Sequence, residues 1–219
     1  MATASAARVW DGPTRVFHWL LVLLVAISWR TGETGALEWH LWSGYAILAL
    51  LLFRLGWGVV GSDTARFASF VRGPRAILRY LRASEPGPPG HNPLGALSVV
   101  AMLLLLLAQV GLGLFAVDED GLESGPLSYL VSYEASERAA DLHELAFNVL
   151  LAMIALHLLA ILFYAAVRRR DLVRPMITGR APVIAAAEPL RFSSWLRAAL
   201  VLLAAGGVTW WIASGLRFF

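Results

Sequence analysis

Five long apolar segments limit the fold of this chain more than any other feature of its sequence. A helix needs about 20 apolar residues to cross the hydrocarbon core of a bilayer. The five segments approach or exceed this length and lie at residues 14–30, 37–61, 94–117, 139–167 and 195–216. Because 58% of the 219 residues are hydrophobic, little sequence is left for a soluble catalytic domain. The sequence therefore predicts an all-α integral membrane protein with five spanning helices, the first of which is expected to have Asp11 as its N-cap.

The distribution of arginine predicts the orientation of these helices. Cytoplasmic connections of membrane proteins carry an excess of basic residues. The N-terminus, the 62–93 connection and the 168–197 segment contain two, five and seven arginines, whereas the three segments on the opposite side contain one each. We therefore expect the N-terminus in the cytoplasm and the C-terminus outside. The acidic 118–144 region, with eight acidic residues and one arginine, is expected to face outward.

Four histidines lie in or near the ends of the apolar segments. His143 and His157 are fourteen residues apart in the fourth segment, which is close to four helical turns. Their rings are therefore expected on one helix face, about 21 Å apart along the axis. His40, in the second segment, is expected at about the same depth in the membrane as His143, near the outer side. His18, in the first segment, is expected within one to two helical turns of the depth of His157, nearer the inner side. Ionisable residues inside a membrane are costly and are usually functional.

We interpret the four histidines as the axial ligands of two b-type haems that form an electron path across the bilayer. His40 is expected to pair with His143 at the outer haem, and His18 with His157 at the inner haem. The chain contains no cysteine, which excludes covalent c-type haem attachment and cysteine-ligated iron–sulfur clusters. Two other uses of intramembrane histidine stay open. One is a hydrogen bond between helices, and the other is a metal-ion path, which usually adds carboxylates or thiols.

Three glycines near the expected outer haem suit a flat and bulky cofactor. Gly44 follows His40 by one helical turn on the same face, where the missing side chain lets a porphyrin approach. Gly111 and Gly113 lie in the outer half of the third segment. Their alternative role is close helix packing, because small residues are favoured where membrane helices meet.

Arg54 and His91 are candidates for roles at the inner side of the membrane. Arg54 follows His40 by fourteen residues and so shares its face, four turns deeper. A cation at this depth needs an anionic partner, which a propionate of the inner haem would provide. The alternative for Arg54 is snorkelling to the interface. His91, at the cytoplasmic mouth of the third segment, is a candidate for proton exchange at a quinone site, or else a capping or surface residue.

Short motifs along most of the chain match a known protein family. They are Trp10–Trp19 (sequence WDGPTRVFHW), Trp39-His40 with Gly44, Phe53–Gly58, Gly90–Gly95, Asp141–His143 and the following His157. With these motifs the chain resembles the bacterial cytochrome b561 group, especially the b-type cytochrome subunits of membrane-bound nickel–iron hydrogenases. The motifs cover roughly residues 8–180 and include all four candidate ligands.

The resemblance implies a four-helix haem-binding bundle at residues 1–180, in which helices one, two and four supply the ligands. A linker and an additional fifth helix follow at 181–219, either for packing on the bundle or for docking a partner subunit. The resemblance also implies a bacterial inner-membrane protein with two haem b groups. Such a protein carries electrons between a quinone pool and a periplasmic-side partner, either a hydrogenase or a c-type cytochrome. It is an electron-transfer subunit of an oxidoreductase rather than a stand-alone enzyme, surrounded by membrane lipid and with no nucleic acid expected as a partner.

Two other functions are compatible with the sequence. The first is a self-sufficient quinone oxidoreductase that takes electrons from a small diffusing donor such as superoxide. Such a protein would be reduced by that donor without a second subunit. The second is a membrane anchor or metal-ion transporter without haem, for which a purified preparation would be colourless.

Overall fold

The computed structural model describes residues 5–71, 73, 75, 78–80, 90, 92–118, 121, 123–183 and 189–217, and this part of the chain is mainly helical. Its helices are α1 (Gly12–Glu33), α2 (Leu37–Val60), α3 (Phe67–Phe70), α4 (Pro93–Gly113), α5 (Tyr133–Ala166), α6 (Val173–Thr178) and α7 (Trp195–Ala213). Two short strands, β1 (Ser5–Arg8) and β2 (Arg180–Val183), pair antiparallel. Among the described residues, the helices α1, α2, α4, α5 and α7 are long and apolar enough to cross a membrane. The predicted all-α membrane fold with five spanning helices is confirmed.

The observed helices differ from the predicted segments mainly at their ends. α5 has 34 residues and begins at Tyr133, six residues before the predicted span 139–167. α4 ends at Gly113, although the apolar sequence continues to Val117. After α4 the chain turns back, and the Leu127 N–H donates a hydrogen bond of 2.9 Å to the carbonyl of Leu114. Apolar composition reveals neither the start of α5 nor the end of α4, because backbone hydrogen bonds decide where a helix begins and ends.

Polar side chains cap the starts of four long helices. The carboxylate of Asp11 accepts a hydrogen bond of 2.7 Å from the N–H of Thr14, as expected for the N-cap of α1. The amide of Asn92 at α4 and the hydroxyls of Ser132 at α5 and Ser194 at α7 accept equivalent hydrogen bonds. These caps satisfy backbone donors that have no partner inside the helix.

The chain forms two compact units, and each of the five long helices contributes to both. The first unit comprises Met1–Phe17, Arg54–Ala101 and Ala155–Ala199, and the second unit comprises His18–Phe53, Met102–Ile154 and Leu200–Phe219. The candidate ligands His18, His40 and His143 belong to the second unit, and His157 belongs to the first. The division of the chain into a domain at 1–180 and an extension at 181–219 stays a prediction.

In the first unit, the segment before α7 is attached to the end of α2. The N–H of Asp63 donates to the carbonyl of Arg191 at 3.0 Å, and the N–H of Arg191 donates to the Asp63 carboxylate at 2.7 Å. The ring of Trp195, the first residue of α7, lies against Gly12, where a Cβ atom would come within 2.3 Å of the ring. These contacts favour a packing role for the start of the fifth spanning helix.

Candidate functional site

The second unit brings His40 of α2 and His143 of α5 together. Their ring centroids are 6.0 Å apart, and the planes of the two rings meet at 77°. A metal–imidazole bond is about 2 Å long, and the ring centre lies about 1 Å beyond the nitrogen, so an ion held between two imidazoles requires centroids about 6 Å apart. The observed separation therefore suits one metal ion between the two rings.

The Nδ1 atoms of both imidazoles make the same hydrogen bond. Nδ1 of His40 lies 2.8 Å from the carbonyl oxygen of Ser28, and Nδ1 of His143 lies 2.8 Å from the carbonyl oxygen of Gln109. A carbonyl only accepts, so each Nδ1–H is the donor and each Nε2 keeps its lone pair. This is the arrangement of metal-binding histidines, which donate their other ring N–H to a carbonyl or carboxylate.

The two histidines line an apolar cavity of the second unit. The other residues that line it include Gly44, Gln109 and the aromatic residues Trp29, Tyr45 and Phe147. Gly44 has no atom within 4 Å of the position that a Cβ would take, so its missing side chain leaves open space in the cavity wall. The Gln109 side chain is buried, and its Oε1 has no hydrogen-bond partner among the described residues. An apolar cavity beside two imidazoles suits an apolar cofactor that the imidazoles can bind, and the unsatisfied Oε1 of Gln109 can accept one hydrogen bond there.

The number of ligands also favours haem over a bare metal ion. Within the described residues, no group of three or more His, Asp or Glu side chains could hold a metal ion. Two imidazoles complete the coordination of an iron that already carries the four nitrogens of a porphyrin. The donor set of His40 and His143 therefore fits an axial pair of haem ligands.

Comparison with known proteins assigns the chain to a family. A family model described as prokaryotic cytochrome b561 matches residues 9–179, which contain all four candidate ligands. The chain belongs to the prokaryotic cytochrome b561 family. Cytochromes b561 bind haem b and act as membrane electron carriers, so the expected haem b cofactor agrees with the family. No curated protein and no solved structure matches the chain.

The remaining histidines of this cytochrome b561 have different positions. His18 on α1 and His157 on α5 are both half-buried. His18 belongs to the second unit and His157 to the first, and their pairing at an inner haem stays a prediction. His91, the candidate for a quinone site, lies outside the described residues.

Arg54 is buried in the first unit, with only 2% of its surface exposed. Its Nη1 donates a hydrogen bond of 3.0 Å to the carbonyl of Ala65, and its guanidinium carbon lies 4.8 Å from the centre of the Phe67 ring. The fully buried carboxylate of Asp11 attracts the guanidinium. Arg54 is thus held inside the first unit by a backbone carbonyl and an aromatic ring, with the Asp11 carboxylate near enough to attract its charge, instead of extending to an exposed surface. A contact of Arg54 with a haem propionate stays a prediction.

Three kinds of residue at these sites were not predicted from the sequence. The carbonyls of Ser28 and Gln109 leave no signal in a sequence, because every residue has a carbonyl. Gly32, which lies against the His40 ring, was not distinguished from other glycines. The indole of Trp57 donates a hydrogen bond of 3.1 Å to Asp11, and both residues lie in motifs shared with the family, which was the available signal.

Proposed function

We propose that this protein is a di-haem cytochrome of the bacterial inner membrane that carries electrons between a quinone and a redox partner on the periplasmic side. The observation that carries the proposal is the pair His40 and His143, whose rings are 6.0 Å apart and whose Nδ1 atoms both bind backbone carbonyls. The pair His18 and His157 would hold the second haem. The fourteen-residue spacing of His143 and His157 on one helix supports two haems at two depths.

The residues of the chain determine how a haem would work at the His40–His143 site. Haem iron supplies reversible one-electron oxidation and reduction. His40 and His143 would both bind the haem iron through Nε2, so oxygen chemistry at the iron is not expected. Donation of each Nδ1–H to a carbonyl fixes the tautomer and increases the basicity of Nε2. The mainly apolar lining of the cavity would lower the polarity around a bound haem, which is one way in which proteins set redox potentials.

The distribution of charged residues supports the proposed orientation of the chain in the membrane and the proposed class of partner. The arginine-rich segments lie on the side of the N-terminus, which favours a cytoplasmic N-terminus. The first turns of α5 carry four exposed acidic residues at intervals of three and four, which places them on one helix face: Glu134, Glu137, Asp141 and Glu144. An acidic face near His143 favours a partner with a basic surface, such as a c-type cytochrome. A nickel–iron hydrogenase is the other partner that we consider.

The haem content of the purified full chain tests the two-haem proposal. We expect two haem b per chain and a low-spin reduced-minus-oxidised spectrum. His143→Ala and His157→Ala are each expected to remove one haem and leave the other. Leu142→Ala and Leu156→Ala are matched controls, because these exposed neighbours lie on the same helix and bind no cofactor in the proposal. A wild-type chain with one haem or none would refute the di-haem proposal.

A second experiment tests whether the protein takes electrons from a quinol and passes them to a partner protein. The protein is reconstituted in lipid vesicles, and a ubiquinol or menaquinol analogue is added while the haem spectrum is recorded. We expect reduction by the quinol, followed by reoxidation when a basic c-type cytochrome is added outside. Reoxidation should slow at high salt, because screening weakens attraction to the acidic face. Failure of every quinol to reduce the haem would contradict the quinone part of the proposal.

A further inference from the structure

Each imidazole of the His40–His143 site packs against a neighbouring helix, and both do so in the same way. His40 donates to the carbonyl of Ser28 on α1, and Gly32 follows Ser28 by four residues. His143 donates to the carbonyl of Gln109 on α4, and Gly113 follows Gln109 by four residues. The two contact sites lie on different helices and bind different histidines. In both, a backbone carbonyl accepts the hydrogen bond and a glycine follows it by four residues.

Helix geometry gives this spacing a physical meaning. The carbonyl of a helical residue points toward the residue four positions later, which lies one turn on along the same face. A side chain at that later position stands beside the carbonyl and obstructs any donor that approaches from outside the helix. A Cβ at Gly113 would lie 2.9 Å from Cε1 and 3.2 Å from Nδ1 of His143. A Cβ at Gly32 would lie 3.2 Å from Nδ1 and 3.3 Å from Cε1 of His40.

We propose that Gly32 and Gly113 are positioning residues for the haem ligands, each leaving the room that an imidazole needs to reach a helix carbonyl. The inference rests on the proposed function, because the ligands are those of the proposed haem. With these glycines in place, the two ring planes lie at 77° to each other, and both Nδ1–H groups keep their hydrogen bonds to the carbonyls. The orientation of the rings and the hydrogen bond at Nδ1 are both properties by which a protein tunes the haem iron.

The structure separates this role from general helix packing. Gly111, two residues before Gly113 on α4, has nothing within 4 Å of its Cβ position and is not among the residues that line the cavity, so the structure does not give it the place near the haem that its sequence position suggested. Gly111→Ala is therefore a matched control for Gly113→Ala, with the same substitution in the same helix. Alanine is a better helix former than glycine. Any loss in Gly113→Ala would therefore come from the new methyl group at the imidazole and not from a weaker helix.

The test compares wild type with Gly113→Ala, Gly32→Ala and Gly111→Ala as purified full chains. Haem per chain and the low-temperature EPR spectrum of the ferric protein are measured, and the midpoint potentials are titrated. Gly113→Ala places a methyl group at 2.9 Å, too close for an undisturbed ring, and is expected to reduce haem content from two to one per chain. Gly32→Ala places it at 3.2 Å and is expected to keep both haems but shift the EPR signal and potential of one. Gly111→Ala is expected to match the wild type.

The outcomes distinguish this inference from the proposed function. A wild-type chain without a haem at His40 and His143 would refute the proposed function, and the inference with it. A wild-type chain with both haems whose Gly113→Ala and Gly32→Ala variants keep wild-type haem content, EPR spectra and potentials would refute only the inference. Equal changes in Gly111→Ala would also refute it. The haem on the other ligand pair, His18 and His157, shows whether the Gly113→Ala variant has folded. If that variant has not folded, the EPR spectrum of Gly32→Ala decides between the inference and its refutation.

Discussion

Replacing Asp11 by alanine tests the buried polar cluster of the first unit. The Asp11 carboxylate is fully buried and serves three groups at once. It caps α1 through the N–H of Thr14 at 2.7 Å, accepts a hydrogen bond of 3.1 Å from the indole of Trp57, and attracts the buried guanidinium of Arg54. We expect Asp11→Ala to destabilise the protein far more than the removal of an exposed cap.

The size of the effect follows from these three contacts. Loss of an N-cap costs about 1–2 kcal/mol. The indole of Trp57 loses this acceptor at a fully buried position, which costs about 1–3 kcal/mol. The Arg54 guanidinium also loses the attraction of the Asp11 carboxylate, but it keeps its hydrogen bond to the Ala65 carbonyl. The losses share one carboxylate and are not strictly additive, so we expect a total of about 2–4 kcal/mol.

Thermal unfolding in detergent, followed by far-UV circular dichroism, measures this effect. For a chain of this length, 1 kcal/mol corresponds to about 2–4 °C in Tm, so Asp11→Ala should lower Tm by about 10 °C. Asp11→Asn keeps one accepting oxygen and should lower Tm by about half as much. The control is Asp171→Ala, which removes an exposed carboxylate that accepts hydrogen bonds from the N–H groups of Val173 and Arg174 at the start of α6, and it should cost at most about 1 kcal/mol. A shift for Asp11→Ala no larger than that of Asp171→Ala would refute the reasoning.

Three further predictions concern the cavity, the buried arginine and a hydroxyl pair. Gly44→Leu adds a side chain that starts in open cavity space, so it should displace one haem, and unchanged haem content would place the cofactor elsewhere. Arg54→Gln removes a positive charge and should lower the midpoint potential of the inner haem in a redox titration, whereas an unchanged potential would mean that Arg54 is remote from it. Burial and the hydrogen bond with Tyr164 raise the pKa of Tyr80 from 10.0 to about 12. The stability from this hydroxyl pair is therefore complete below about pH 10 and lost between about pH 10 and pH 12. Tyr164→Phe should reduce that loss in Tm measured against pH, and an unchanged profile would contradict the assignment.

The helices and the candidate ligands could be predicted because both leave local signals in the sequence. A membrane-spanning helix needs about 20 apolar residues whatever surrounds it, so composition alone located the five long helices. Charged or ionisable residues are rare in such segments, so the four histidines and Arg54 were conspicuous. The regular geometry of the helix placed His143 and His157 on one face from their spacing alone.

Tertiary structure alone decided what holds the candidate ligands His40 and His143. Gly111 and Gly113 are equivalent in the sequence, and only the packed structure places the His143 ring against Gly113. The same holds for the carbonyl of Gln109, which becomes a hydrogen-bond partner of the imidazole because of where it lies in the fold. Asp11 and Arg54 are far apart in the chain, and folding brings them into one cluster. Apolarity and helical period act over a few neighbouring residues, whereas these contacts arise where separate segments pack against each other, and no local pattern encodes that packing.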